Sequence, residues 1–138
     1  DEMTSVVLTR AGKDLLRTAL IALDDAYQAP TAADRYVAAH VAALRAGAAL
    51  LATRAKPTRS SRIRSVWQML PTIAPELQEW CTYFALIGQR RVFVEIGREH
   101  VTQRQADDLM RDAEAFTEQI AGILGVGLPI PSTWRTAG

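Results

Sequence analysis

The feature that most constrains this chain is a repeat of apolar residues at spacings of three and four, clearest over residues 103–124. Six apolar side chains follow it there: Ala106, Leu109, Ala113, Phe116, Ile120 and Ile123. Residues three and four apart lie on one side of an α-helix, so the segment predicts an amphipathic helix. Thr102 and Gln105 form a capping box at its start. We expect its acids to face away from the core: Asp107, Asp108, Asp112, Glu114 and Glu118.

Three earlier segments show the same spacing, whereas strand-like alternation is nearly absent. We predict four long helices and one short helix that Pro71 ends: 9–28, 31–54, 65–70, 75–96 and 103–124. Long amphipathic helices joined by short connections predict an all-α fold, an antiparallel four- to five-helix bundle. Residues 1–128 would form this single domain, and residues 129–138 a Pro-rich C-terminal tail.

The second predicted helix is rich in alanine and begins after Thr31, which together with Asp34 resembles a capping box. Its larger apolar residues predict a core stripe: Val37, Val41, Leu44 and Leu51. Alanines beside that stripe would allow another helix to approach closely: Ala38, Ala42, Ala46 and Ala49. We therefore expect this helix to offer a surface for close helix packing.

Composition limits the classes of partner and cofactor. The 16 basic and 15 acidic residues nearly cancel, so a charged partner must bind a local cluster rather than the whole chain. The single cysteine, Cys81, excludes a disulfide within the chain, as is usual in a reducing cytoplasm. One cysteine and two distant histidines are too few for a zinc site, and we expect no metal or cofactor. No apolar run approaches ~18 residues, so we expect no membrane span and a cytoplasmic protein.

A basic connection lies between the second helix and the short helix. It holds five cations and no acid: Arg54, Lys56, Arg59, Arg62 and Arg64. Such a run can bind the phosphates of RNA or DNA by releasing counterions. The same run could instead be solvated or paired with acids of the last helix.

Arg35 and His40 form the first candidate for chemistry, because a guanidinium can hold a phosphate while an imidazole moves a proton. Positions five apart on a helix are rotated by about 140°, so one helix does not aim both side chains at one phosphate. We therefore expect a solvated Arg35 and a half-buried His40 at the edge of the apolar stripe. His40→Ala should then lower stability by about 1–2 kcal/mol, and Arg35→Ala should do little.

The other histidine lies in a second candidate, an anion site at the start of the last helix: Arg98, His100 and Arg104. A helix N-terminus with nearby arginines attracts anions. The alternative is a polar loop whose residues cap the helix.

The helix layout and two segments, "RYVAAHVAALRAGAALL" and "SVWQMLPTIAPELQEW", resemble a HEPN domain over residues 9–125, within its actinobacterial SAV_6107-like branch. The resemblance implies a dimer. Many HEPN proteins are metal-independent ribonucleases whose motif is an arginine and a histidine separated by four to six residues, with a polar first spacer. Arg35 and His40 meet the spacing. Tyr36, however, replaces the polar spacer, and the pair lies on the second helix rather than near the last.

From these observations we expect a homodimeric binding or interaction module that contacts RNA or DNA through the basic connection. One alternative is a metal-independent endoribonuclease, in which the arginine stabilises the phosphorane and the histidine acts as acid or base. Another is a structural partner of a different protein, docked through an apolar helix face. We predict no RNA cleavage that depends jointly on Arg35 and His40.

Overall fold

The computed structural model describes residues 8–54 and 65–128, and in these ranges all regular secondary structure is helical. A 3-10 turn at Pro75–Leu77 leads into the fourth helix. The five α-helices are α1 (Arg10–Gln28), α2 (Ala32–Arg54), α3 (Val66–Ile73), α4 (Gln78–Glu95) and α5 (Gln103–Leu124). The prediction of an all-α helical bundle is confirmed.

Short polar residues begin the helices as the sequence predicts. The Thr31 hydroxyl accepts a hydrogen bond from the Asp34 backbone N–H at 3.1 Å. Thr102 and Gln105 form a complete capping box, each side chain accepting from the other's backbone N–H. Because the first N–H groups of a helix have no partner within it, these bonds set where α2 and α5 begin.

Two glycines stand at helix ends with positive φ, a conformation that costs glycine little. Gly97 (φ 74°) follows α4, and Gly125 (φ 73°) follows α5. After α4 the N–H of Arg98 donates to the carbonyl of Phe93 at 2.8 Å, which satisfies an otherwise free carbonyl. Both glycines therefore end their helices.

Pro71, in contrast, does not end α3, which continues to Ile73. A proline inside a helix removes one N–H donor. In a helix of two turns this loss affects a single bond, and the Leu70 carbonyl still accepts from Ala74 at 2.9 Å. The predicted end of the short helix near Pro71 was therefore wrong by about one turn.

Helix α2 is the centre of the bundle and packs against all four other helices. It runs antiparallel to α1, because Gly12 at the start of α1 contacts Thr53 at the end of α2. It runs parallel to α5, since Arg35 and Asp107, both near the starts of their helices, are bonded. Consecutive long helices therefore alternate in direction.

Because α2 is central, its most buried side is not the predicted core stripe, although that stripe does pack against the core. The four larger residues of that stripe are only half-buried: Val37, Val41, Leu44 and Leu51. The fully buried residues are mostly alanines: Ala39, Ala42, Ala43, Ala46 and Ala49. Helices approach closely only where side chains are small, so the alanine side receives the neighbouring helices of the same chain. Ala42, Ala46 and Ala49 therefore give the close helix packing that the sequence predicts, and they give it within the chain.

The packing of the bundle also bears on two further expectations, the absence of a membrane span and the exposure of the acids of α5. Helix α2 is long and apolar enough to cross a membrane by length and composition, but half of that window is buried inside the bundle. Its place at the centre of the core accounts for its hydropathy. On α5, Glu114 is buried rather than facing away from the core.

Candidate functional site

Arg35 is held by three groups from two other helices. Its Nε donates to the carbonyl of Ala26 at 2.9 Å, and its Nη2 donates to the carbonyl of Tyr27 at 3.0 Å. Its Nη1 forms an ion pair with Asp107 on α5 at 2.6 Å. The side chain is 21% exposed. The expectation of a solvated Arg35 was therefore wrong.

These contacts give Arg35 a structural task. The carbonyls of Ala26 and Tyr27 belong to the last turn of α1, where carbonyls lack the usual donor one turn later; from the backbone, Ala26 accepts only a long 3.3 Å bond from the N–H of Ala29 at the helix end. Burial raises the pKa of Asp107, but hydrogen bonds from Arg35 and Gln103 outweigh burial and lower it. Arg35 thus caps the end of α1 and ties it to a charged Asp107 on α5.

His40 is buried between α2 and α4, with 4% of its surface exposed. Its Nε2 lies 3.1 Å from the Phe84 carbonyl, and its Nδ1 lies 3.1 Å from Nη1 of Arg91. A guanidinium only donates hydrogen bonds, so Nδ1 must accept, and we assign the ring proton to Nε2, which donates to Phe84. Both nitrogens of the neutral ring are therefore occupied.

The surroundings keep His40 neutral. Burial is the main cause that lowers its pKa, and the positive charge of Arg91 adds to it, so that the pKa falls from 6.5 to about 4. Gly88 makes the close approach possible, because a Cβ there would lie 3.0 Å from Nε2. The ring also lies 6.0 Å from that of Trp67, measured between centroids. At neutral pH, His40 is a neutral, well-packed core residue.

The structure does not bring Arg35 and His40 together within one chain. Arg35 turns towards α1 and α5, whereas His40 turns towards α4. The arginine that contacts His40 is Arg91, 51 residues away in sequence. Sequence reasoning missed this contact. The one local feature that pointed to this contact was Gly88, because a glycine inside a helix often marks a place where another element packs closely against it.

The second candidate site lies beside α2 rather than α5. Arg98 and His100 are exposed and line a shallow cleft with Thr31 and Ala32 at the start of α2. Arg104, also exposed, lies in the first turn of α5 and does not line that cleft. The anion-binding role of these residues remains a prediction.

Arg90 positions the loop that carries Arg98 and His100. It forms an ion pair with Glu99 and donates to the carbonyl of His100 at 3.2 Å. Its guanidinium carbon lies 5.6 Å from the centroid of the Tyr36 ring, which is buried. The tyrosine that replaces the polar spacer of the ribonuclease motif thus packs beneath this arginine.

The basic connection is described only at its first residue. Arg54 is exposed at the end of α2, and the other four cations lie outside the described residues: Lys56, Arg59, Arg62 and Arg64. Two exposed cations of α1, Arg10 and Lys13, lie at the same end of the bundle. There the hydroxyl of Thr9 donates to the carbonyl of Ala52 at 3.4 Å. The packing of α1 on α2 therefore adds two cations to the end of the bundle at which the basic connection begins.

Helix α4 exposes a row of large apolar residues that sequence reasoning missed. Four side chains on it are 50–62% exposed: Leu86, Val92, Phe93 and Ile96. Its opposite side packs into the core through Cys81, Phe84 and Val94. The available signal was that apolar residues occur on both sides of α4, whereas a surface helix usually has one apolar side.

Comparisons with known proteins identify a family. A family model described as SAV_6107-like HEPN matches residues 26–121, which is well over half of the chain. Neither the curated proteins nor the solved structures include a match to the chain. Within residues 8–54 and 65–128, no group of three or more histidine, cysteine, aspartate or glutamate side chains could hold a metal ion.

Proposed function

The chain belongs to the SAV_6107-like HEPN family, and from that premise we propose that it is a homodimeric interaction module whose subunits meet through the exposed apolar row of α4. We infer that this module acts in the cytoplasm. The contacts of Arg35 and His40 favour it over the ribonuclease alternative, because each side chain is already bonded to other parts of its own bundle.

The row of Leu86, Val92, Phe93 and Ile96 is the observation that carries this proposal. Contiguous exposed apolar patches are rare on monomers and commonly mark interaction sites, because apolar surface in contact with water is unfavourable. A second copy suits the row because no charged residue interrupts it, so two identical rows oppose no like charges. A stable pair should bury about 800 Å² on each subunit, which requires helix α4 and its neighbours together.

Phe93→Glu should convert the dimer into a monomer, because a carboxylate would lose its hydration inside an apolar contact. Light scattering at tens of micromolar should give twice the 15.1 kDa chain mass for the parent and 15.1 kDa for the variant. Ile21→Glu is the matched control, since Ile21 is 53% exposed on α1, and it should remain dimeric. A parent mass of 15.1 kDa would refute the dimer and favour docking on a different protein.

A second candidate function, contact with RNA or DNA, is favoured by the clustering of Arg10 and Lys13 beside Arg54. The basic connection continues directly from Arg54, so its cations extend the same cluster along the chain. Phosphates would be held by charge rather than by base-specific contacts, since Arg10, Lys13 and Arg54 are long, exposed side chains.

Two triple variants should each weaken binding to single-stranded RNA about equally for every sequence: Arg10→Ala/Lys13→Ala/Arg54→Ala and Arg59→Ala/Arg62→Ala/Arg64→Ala. The slope of log affinity against log salt should fall by roughly 0.7 for each lost phosphate contact. Fluorescence anisotropy over a salt series measures both quantities. Arg45→Ala is the control, because Arg45 is an exposed arginine in the middle of α2. Unchanged binding by both triple variants would exclude this basic end as the contact.

A further inference from the structure

The exposed side of α4 carries a seven-residue repeat. We call the following residues the α4 seam: Thr82, Ala85, Leu86, Gln89, Val92, Phe93 and Ile96. Positions seven apart on a helix drift by only about 20°, so the seam stays on one side. At 1.5 Å per residue it is about 21 Å long. Uncharged residues in such a repeat are the pattern by which one helix packs along another.

The seam is nearly symmetric about Gln89. Leu86 and Val92 lie three residues to either side, and Ala85 and Phe93 lie four residues to either side. If two copies of α4 pair antiparallel about Gln89, Leu86 of each copy faces Val92 of the other. Ala85 of each copy likewise faces Phe93 of the other. The Phe93 ring then opposes the small Ala85 side chain, which favours close packing.

A groove beside the seam provides space for the larger ring. It lies between α3 and α4 and is lined by Trp67, Gln68, Cys81, Thr82, Ala85 and Leu86. Ala85 has only a methyl group, so the wall of the groove is low at the position where Phe93 of an antiparallel copy would lie. Phe93 is half exposed in the single chain.

We propose that two copies pair antiparallel through α4 about a two-fold axis at Gln89, with Phe93 of each copy inserted into the α3–α4 groove of the other. This arrangement rests on the proposed dimer and specifies its register. The side chain of Gln89 meets its own symmetry mate, and an amide can both donate to and accept from a second amide. The only polar amide in the seam is therefore satisfied at the axis.

The main competing register moves the axis by about half a turn, so that Gln89 faces Val92 of the other copy. That register buries an amide against an isopropyl group that offers it no hydrogen bond, which is unfavourable. Gln89 is the only amide in a seam that is otherwise apolar except for Thr82, and a buried polar residue commonly selects register in this way. In the register about Gln89 the amide faces an amide, Leu86 and Ala85 face Val92 and Phe93, and Thr82 faces Ile96 at the ends of the seam.

Disulfide trapping tests this register. Cys81 is the only cysteine of the chain and lines the groove that would receive Phe93, so the trapping variants are made in a Cys81→Ala background, where the introduced cysteine has no competitor. Gln89→Cys should form a disulfide-linked dimer on mild oxidation, because residues at a two-fold axis lie close enough for an S–S bond. Ala85→Cys and Phe93→Cys should each link poorly alone but link to one another when the two variants are mixed. Ile21→Cys, on α1, should remain unlinked.

Light scattering on the parent protein distinguishes a failure of the proposed register from a failure of the proposed dimer. A dimeric parent in which Gln89→Cys stays unlinked, while Gln89→Cys mixed with Val92→Cys links, would overturn the register but keep the dimer. A dimeric parent in which none of these variants links would place the interface away from the seam and overturn the inference. A monomeric parent would refute the proposed function itself.

Discussion

Replacing His40 with alanine should lower the free energy of unfolding by about 3 kcal/mol at neutral pH. The change removes a ring that is 4% exposed, leaves Nη1 of Arg91 without its His40 acceptor while Nε keeps Glu95, and opens a cavity beside Trp67. This loss is larger than the 1–2 kcal/mol expected from the sequence, because both ring nitrogens are bonded. Urea unfolding followed by circular dichroism measures it.

The same residue should make the fold sensitive to acid. The pKa of His40 is about 4 in the folded chain, against 6.5 for an ordinary histidine, mainly because of burial and secondly because of Arg91. Between these pH values the unfolded chain binds the proton that the folded chain excludes, so the free energy of unfolding falls as pH decreases from 6.5 towards 4. A pKa difference of this size corresponds to about 3 kcal/mol.

His40→Gln distinguishes titration from packing. Its neutral amide can still donate to the Phe84 carbonyl, so this variant should keep part of the stability but lose most of the decline between pH 6.5 and 4. His100→Gln replaces the exposed histidine of the chain and should retain the parent's decline. An undiminished decline in His40→Gln would show that other groups cause the sensitivity to acid.

Arg35→Ala should lower the free energy of unfolding by about 2 kcal/mol, in contrast to the small effect that the sequence suggested. The variant leaves the carbonyls of Ala26 and Tyr27 without this donor and removes the ion pair with Asp107. The expected loss of stability is modest because both side chains of the ion pair are partly exposed, at 21% and 31%, so that water screens the charges.

Two variants act as controls for Arg35→Ala in the same unfolding experiment. Arg45→Ala removes an exposed arginine from the same helix and should change stability by less than about 0.5 kcal/mol. Arg35→Lys keeps the charge but lacks the planar fork that reaches three acceptors, so it should recover only part of the loss. Equal stabilities of Arg35→Ala and Arg45→Ala would mean that the Arg35 contacts add nothing in solution.

Helix boundaries were predictable because they depend on neighbours in the chain. The Thr102–Gln105 capping box and the Gly97 helix end each involve residues fewer than six positions apart. The buried side of α5 was also predictable, since its spacing defines one apolar side. Pro71 was misjudged because its effect depends on how many helical bonds follow it, which the proline itself does not reveal.

The contacts of the candidate site depend instead on residues far apart in the chain. Arg35 and Asp107 are 72 positions apart, and His40 and Arg91 are 51 positions apart. The rotation of about 140° between Arg35 and His40 on one helix correctly predicted that their side chains lie apart. It did not predict which residues of the other helices each side chain contacts. The sequence predicts a solvated Arg35, whereas in the packed bundle its guanidinium links α1 to α5.

The amino-acid sequence by itself determined the helices, their ends, the apolar side of α5 and the resemblance to the HEPN family, because spacing, capping and composition act locally. Only the tertiary structure decided which side of α2 is buried, which partners hold Arg35 and His40, and which apolar residues of α4 remain exposed. A helix with apolar residues all round can bury any of its sides. The packing of the neighbouring helices selects which one, and thereby leaves Leu86, Val92, Phe93 and Ile96 at the surface.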